Sequence, residues 1–482
     1  MATITVWEQD PGNAANPDGG VLLHRQAPRL DDVPFPTTIL GAVPPADNYH
    51  PGTPAFRYWT CADALRRASD FWGQVLGEHR WNPAIGAGPL RVVLDEGRDL
   101  NAYYDRAALH FFHAAVGGRV IYSGESPDVI CHEHGHAVLD ALRPELWDVA
   151  AFEVPAFHES VGDMAAILTA LQLPSTRIGV LQETNNKLYQ SSRLSRLAEQ
   201  LGWAIRQIRS DAVEIDCLRN AVNSHFYRSP WSLPTSTTNS ELSSEAHSFS
   251  RVFTGAFFDA LARMFAASGA PTEELLQQVS LDMGKILAKA IADAPIVTSY
   301  FAQVGAHMIT NAAAMSPAYA DAMKTALVRH GIVSVPGVAA VLKTPDTKFA
   351  AAAVAPIAPP AERELDVSAY GFKVSSIHVV TASQPQRFSI AGAAASVGDV
   401  APVSDDTAAL GYFEDLIRRG RLDDGGFADA KVGVVAPAPR MKTHKLVQEG
   451  DRVVLRRLRI DCGLHGNSVS ADGASSVAPA RP

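Results

Sequence analysis

Two histidines and a glutamate stand at a spacing that could hold a metal ion and activate water. The segment reads His132-Glu133-His134-Gly135-His136, which is a His-Glu-x-x-His pattern. On a helix, His132 and His136 lie one turn apart on the same face, where both imidazoles can bind one tetrahedral zinc ion and Glu133 projects beside it. This arrangement does not need His134, which we interpret as a surface residue.

The residues around this pattern specify the helix that must carry it. Ser126 can cap the helix, Pro127 suits its first turn and Asp128 favours its positive end, whereas Pro144 ends it. A five-residue pattern of common residues also arises by chance. The metal site therefore needs a further ligand as independent support.

A catalytic zinc ion keeps three protein ligands and one open position for water, so a third donor should follow on another element. The acidic candidates downstream are Glu145, Glu153 and Glu159. Glu159 is preferred because it lies in a helical pattern over residues 157–171, whereas the other two lie in segments interrupted by proline. Asp163, one turn after Glu159, can accept a hydrogen bond from a zinc-bound imidazole.

Several further segments stand in the order of the motifs of one peptidase family. They are Asn101-Ala102-Tyr103-Tyr104, residues 132–140, Glu159-Ser160-Val161-Gly162-Asp163, Leu218-Arg219 and His247-Ser248-Phe249-Ser250. This order resembles the thermolysin-like metallopeptidases, with the fungalysins as close cousins, over residues 88–333. The resemblance implies an endopeptidase with one catalytic zinc ion, with Glu133 as general base.

The resemblance also implies roles for residues outside the zinc helix. Asn101 and Ala102 would lie on the edge strand that pairs with the substrate backbone. Arg219 would bind the substrate carbonyl, and His247 would stabilise the transition state. His158 stands where the family often has a donor that supports the third ligand.

The sequence departs from the family at three places. The interval 137–158 before the third ligand is longer than in thermolysin, which implies a longer turn. The family's tyrosine near the transition state has only Phe152 as a counterpart. Asp128 matches one calcium ligand, but the run 165–173 supplies no second acid, which argues against bound calcium.

Rival interpretations differ in testable ways. A metzincin would need Gly and His where Leu139 and Leu142 stand, and a gluzincin aminopeptidase would place its third glutamate at Pro155. Both classes are disfavoured. A catalytically degenerate peptidase-like binding module, and a hydrolase of a non-peptide amide, remain as alternatives.

Composition excludes other classes of partner. The 482 residues are 47% hydrophobic and 19% charged, and their net charge of -9 disfavours binding to nucleic acid or anionic lipid. No apolar run has membrane-spanning length, and no Sec signal peptide is visible, so the expected location is cytoplasmic or reached by a non-Sec route. Four separated cysteines without a CxxC pair indicate reduced, buried thiols; they are Cys61, Cys131, Cys217 and Cys462.

The predicted fold class is α+β, a thermolysin-like two-lobed catalytic domain. A strand-rich N-terminal lobe and a helical C-terminal lobe would place the zinc helix at the cleft between them. The predicted units are an N-terminal extension packed on the catalytic domain (1–87), the catalytic domain (88–333), an Ala/Pro-rich linker (334–365), a small strand-rich module (366–465) and a disordered tail (466–482).

Overall fold

The computed structural model describes residues 2–12, 20–335, 337–338, 359–385, 403–428 and 441–463. Its helices are α1 (Pro54–Leu76), α2 (Pro127–Leu142), α3 (Glu153–Ala170), α4 (Pro174–Glu183), α5 (Glu199–Ile208), α6 (Ala246–Ala267), α7 (Glu273–Asp293), α8 (Tyr300–Met315), α9 (Pro317–Arg329) and α10 (Asp405–Arg418). Its strands are β1 (Thr3–Trp7), β2 (Leu22–Gln26), β3 (Thr37–Ile39), β4 (Leu90–Val93), β5 (Ala102–Tyr104), β6 (Ala108–Phe111), β7 (His113–Val116), β8 (Arg119–Tyr122), β9 (Arg196–Leu197), β10 (Arg219–Asn220), β11 (Glu362–Asp366), β12 (Ser376–Val380), β13 (Leu422–Asp423), β14 (His444–Glu449), β15 (Arg452–Arg457) and β16 (Ile460–Asp461).

One mixed sheet lies beside helix α2. Its strand order is β16-β5-β6-β4-β3, in which β3, β4 and β6 run parallel and β5 is antiparallel to both of its neighbours. Leu90 and Val92 alternate with Arg91, so one face of β4 is buried and the other is not. Strand β5 of this sheet lies next to α2.

The helices after β8 form the other side of the main core. Helix α3 packs between α2 and α6, and large aromatic side chains fill the space behind it, including Phe157, Phe253 and Phe301. Helix α3 is buried along its whole length. A helix that is buried on all sides is typical of a core position, and this one places Glu159 opposite α2.

The N-terminal residues share this main core. Thr53 caps α1 and Pro54 occupies its first position, so the helix begins eight residues before the helical pattern at Ala62. Its face with Phe71 and Trp72 is buried, and it packs on α2 and α7. Strand β1 also packs on α1, which makes the predicted extension (1–87) continuous with the core of the predicted catalytic domain.

The C-terminal part has a second core. Its sheet has the order β11-β12-β15-β14-β13, and α10, capped by Ser404, packs against it through Tyr412 and Phe413. The chain then leaves this sheet: β16 pairs with β5 of the main sheet, and Ile460 is buried in the main core. Residues 460–461 therefore belong to the main sheet, although the predicted module (366–465) includes them.

Some predicted features fall outside the described residues. Most of the predicted linker, at 336 and 339–358, and the predicted tail at 466–482 are among them. In the described part of the chain, no single helix has the length and apolarity needed to cross a membrane. Helices α3 and α4 meet those criteria only as a pair, and the pair is bent by 100°.

Candidate metal centre

Helix α2 presents two histidines to the same point. The Ser126 hydroxyl accepts from the Val129 N–H and caps the helix, as the sequence predicts. The ring centres of His132 and His136 lie 4.7 Å apart, with the ring planes nearly perpendicular. One turn of helix therefore aims two imidazole nitrogens into one buried space.

Glu159 on α3 completes a three-donor set. Its Oε2 lies 3.4 Å from His132 Nε2 and its Oε1 lies 3.9 Å from His136 Nε2. Ligands about 2.0–2.3 Å from a tetrahedral zinc ion stand roughly 3.3–3.8 Å apart, so these donors fit one ion with a small adjustment. Glu153 lies elsewhere, where it accepts from the Tyr227 hydroxyl and the Phe301 N–H, and Glu145 pairs with Arg143.

The Glu133 carboxylate indicates that this space is built for an ion and water. Glu133 is fully buried, and the side chain that reaches its carboxylate among the described residues is the thiol of Cys462. Burial is the main cause that raises its pKa, to about 7. A thiol is a weak donor, so this buried carboxylate is poorly satisfied, and a bound ion with its water would supply a stronger partner. The buried cluster of His132, Glu133 and His136 is consistent with a zinc site.

Asp163 orients the first histidine and is itself held by an arginine. His132 Nδ1 lies 3.1 Å from Asp163 Oδ1. Arg219 donates to both carboxylate oxygens, from Nη2 at 2.6 Å and from Nε at 2.9 Å. Burial would raise the pKa of Asp163, but Arg219 and His132 hold it below its usual range. The Asp163 carboxylate thus fixes the ring so that Nε2 faces the donor cluster.

His247 begins α6 and lies at the edge of the same cluster. Its Nε2 is 3.1 Å from Glu159 Oε2, and its Nδ1 is 2.7 Å from Glu245 Oε1. Burial would lower the pKa of His247, but the two carboxylates raise it to about 10. The two carboxylates therefore favour the protonated ring, which places an N–H donor beside the cluster.

Two predicted roles for histidines differ from what the structure shows. His134 is not a surface residue: it is fully buried, with its ring against Phe35 and Trp81, and burial lowers its pKa to about 3. Phe35, which precedes β3, and Trp81, which follows α1, are distant from His134 in the sequence, so the local sequence could not predict this contact. His158 is buried with its ring centre 5.9 Å from that of His136, and in the described residues its nitrogens have no hydrogen-bond partner.

Asn101 and Ala102 lie at the start of β5, beside the cluster, but they contact the chain's own C-terminal segment. The Asn101 side chain donates to Asp461 Oδ1 at 2.8 Å, and the Ala102 carbonyl accepts from the Cys462 N–H at 3.0 Å. Asp128, which matches one calcium ligand of the family, is buried and accepts a hydrogen bond from the Ala198 N–H.

The sequence analysis missed a fourth donor. Cys462 Sγ lies 3.3 Å from His136 Nε2 and 3.9 Å from Glu159 Oε2, and it forms one donor cluster with His132, Glu133 and His136. A lone cysteine more than 300 residues from the zinc helix gives no local signal. The only hint is the strand-like segment that ends immediately before Cys462.

Two glycines allow α2 and α3 to approach closely at the metal centre. A Cβ at Gly162 would lie 2.5 Å from His132 Cε1, and a Cβ at Gly135 would lie 2.6 Å from the Ala165 Cβ. From the sequence alone, a glycine at position 135 would only weaken the helix mildly. The structure shows that these two positions set the distance between the two histidines and residue 159.

We expect Gly162→Ala to weaken metal binding by about tenfold or more, because the new methyl group displaces the His132 ring from its buried position. Overpacking should also cost about 1–3 kcal/mol of stability. Zinc titration and thermal unfolding of the metal-free protein measure the two effects. Gly305→Ala on α8 is the matched control, since its nearest contacts are flexible side chains at 3.3 Å. Equal zinc affinity in both variants would contradict this account.

Comparison with known proteins gives little information about the function of this chain. No sequence-family model matches the chain, and no curated protein matches it. One solved structure that it resembles is the precursor of protealysin, a metalloproteinase from Serratia proteamaculans. The identity is 15% and the TM-score 0.39, over 69% of this chain and 88% of that one. The assignment of function therefore depends on the residues of the metal centre itself.

Proposed function

We propose that this chain is a zinc-dependent endopeptidase of the thermolysin-like kind. The observation that carries the proposal is the buried set of His132, His136 and Glu159 around one point, with the fully buried carboxylate of Glu133 in the same donor cluster. Two neutral imidazoles and one carboxylate are the ligand set of catalytic zinc in several peptidases. When bound, zinc lowers the pKa of its water and polarises the substrate carbonyl.

Glu133 is the residue that moves the proton. Its carboxylate takes a proton from the attacking water and passes it to the leaving amine as the peptide bond breaks. Burial raises the pKa of its carboxyl, which strengthens the carboxylate as a base.

His247 and Asp163 support this chemistry from opposite sides. His247 carries its proton on the side of Glu159 and can donate to an oxyanion that forms near it. Asp163 holds the tautomer of His132, and Arg219 neutralises Asp163. We propose that Arg219 acts through Asp163, since its Nε and Nη2 are engaged there.

Removal of the metal tests the proposed function. We expect one zinc ion per chain and hydrolysis of casein or a peptide library that stops with a zinc chelator and returns with added zinc. Because Cys462 lies against the donors, the digest should be run on the full chain and on Cys462→Ser. Substoichiometric zinc, or hydrolysis that a chelator does not affect, would rule out the proposal. Zinc binding without peptide cleavage in either protein would favour the binding module.

A further inference from the structure

The chain's own C-terminal segment occupies the strand position next to the metal centre. Strand β16 adds to β5 in antiparallel register, with Ile460 opposite Tyr104 and Asp461 opposite Tyr103. The Cys462 N–H extends this pairing with a hydrogen bond of 3.0 Å to the Ala102 carbonyl. An extended peptide that joins the edge of a sheet in this way gains main-chain hydrogen bonds. Without β16, β5 would be that edge.

Side chains fix this segment in place. The Asp461 carboxylate accepts from Asn101 Nδ2 at 2.8 Å and from Arg421 Nη1 at 2.6 Å, and Asp461 is 5% exposed. Gly463 follows with no room for a side chain, because a Cβ there would lie 2.6 Å from Asn101 Cγ. Arg421 directly precedes β13, so the C-terminal module contributes to holding the segment against the main sheet.

The segment carries a sulfur donor to the metal centre. Cys462 Sγ stands 3.3 Å from His136 Nε2 and 3.9 Å from Glu159 Oε2, close to the separation expected of two ligands on one tetrahedral zinc ion. The same thiol also reaches the carboxylate of Glu133, which is fully buried beside it. The donors His132, Glu133, His136 and Cys462 all lie within 4.8 Å of one another.

We propose that Cys462 is the fourth ligand of the metal and that residues 460–463 occupy the substrate position, so that the chain inhibits itself. The inference rests on the proposed function. The thiol releases its proton to solvent when its sulfur binds the metal, as any thiolate ligand must. The sulfur then fills the position that a catalytic zinc ion needs for water.

This arrangement inhibits in two ways at once. Glu133 loses the water from which it would take a proton, and β5 loses the edge on which a substrate backbone could pair. The inhibitor is part of the same chain, so it acts at an effective concentration of about 1 mM or more. A substrate at micromolar concentration therefore competes poorly with the segment. Hydrolysis requires that residues 460–463 leave.

Cobalt in place of zinc gives a direct test of the sulfur ligand. We expect the Co²⁺-loaded wild-type chain to show thiolate-to-cobalt charge-transfer absorption in the near ultraviolet. Cys462→Ser should bind cobalt without that absorption, whereas the control Cys61→Ala on α1 should retain it. Cobalt binding without the absorption in the wild type would overturn the inference and leave the proposed function standing. Failure of the wild type to bind cobalt or zinc would overturn both.

Alkylation of the unmodified wild type provides a second measurement that does not depend on the folding of a variant. Cys462 is half-buried as a residue with its sulfur turned toward the donors, so its alkylation reports the release of residues 460–463, whereas Cys61, Cys131 and Cys217 are buried and serve as internal references. Zinc should slow the alkylation of Cys462 by about tenfold or more, because a metal-bound sulfur is not free to react. Peptide mass spectrometry measures this rate. Equal rates with and without zinc would overturn the inference.

Hydrolysis completes the test. Relative to the wild type, Cys462→Ser should hydrolyse a peptide library about tenfold faster or more. Asp461→Ala, which leaves the cysteine in place but removes its anchor to Asn101 and Arg421, should raise the rate in the same direction and weaken the cobalt absorption. Cys61→Ala should match the wild type. If Cys462→Ser and Asp461→Ala both bound zinc and hydrolysed the peptide library as slowly as the wild type, self-inhibition would be contradicted.

Discussion

Glu133→Gln should lower peptide hydrolysis by about 10²–10⁴-fold, the range typical of a lost general base, while the protein still binds one zinc ion. Glutamine keeps the size of the side chain, so the fully buried position is not overpacked. It cannot take the proton of the attacking water. The measurement is kcat/KM on a peptide substrate, with metal content determined on the same preparation and in the Cys462→Ser background.

A control separates lost chemistry from lost charge near the site. Glu145 follows α2, and its side chain is 42% exposed, so Glu145→Gln removes one negative charge without touching the cluster. We expect its kcat/KM to equal that of the parent protein. If Glu133→Gln retained full activity with zinc bound, Glu133 could not be the base, and the proposed mechanism would fail.

The zinc helix and its partner could be read from the sequence because their determinants are local. Ser126 and Pro127 specify where α2 begins, and residues four apart on a helix lie on the same face. The helical pattern at 157–171 likewise predicted α3, which the structure extends to Glu153–Ala170. Local patterns were sufficient to find the three residues that face one another across the two helices.

The remaining parts of the site depend on contacts between distant segments. Cys462 reaches His136 only because β16 crosses from the C-terminal module to β5, across more than 300 residues of sequence. His134 is buried because Phe35 and Trp81 cover it. Neither partner stands near the zinc helix in the chain. Hydrophobic periodicity and capping residues describe one helix or strand at a time, so they could not predict these contacts between distant segments.

Arg219 illustrates how a motif can locate a residue without fixing its partner. Leu218-Arg219 predicted a guanidinium near the site, and the structure has it there, 7% exposed. Its Nε and Nη2 donate to Asp163, whereas the family resemblance implied a substrate carbonyl. The two roles make different predictions for stability, because only the contact with Asp163 exists in the absence of substrate.

Arg219→Leu should therefore destabilise the metal-free protein by about 3–5 kcal/mol, since it leaves the buried carboxylate of Asp163 without its main counter-charge. The double variant Arg219→Leu/Asp163→Asn should recover part of this loss, because no uncompensated charge remains. Urea unfolding of the three proteins measures the effect. Arg418→Leu, which breaks an exposed pair with Glu414, should cost less than about 1 kcal/mol.

The opposite result would restore the role implied by the family resemblance. If Arg219→Leu unfolded at the wild-type urea concentration and only raised KM, Arg219 would act on the substrate and its bond to Asp163 would be incidental. Destabilisation with partial rescue by Asp163→Asn would instead indicate that Arg219 acts on His132 through Asp163 and not on the substrate. In that arrangement the guanidinium of Arg219, 87 residues after His132 in the sequence, sets the orientation of His132 through the Asp163 carboxylate, which contacts both.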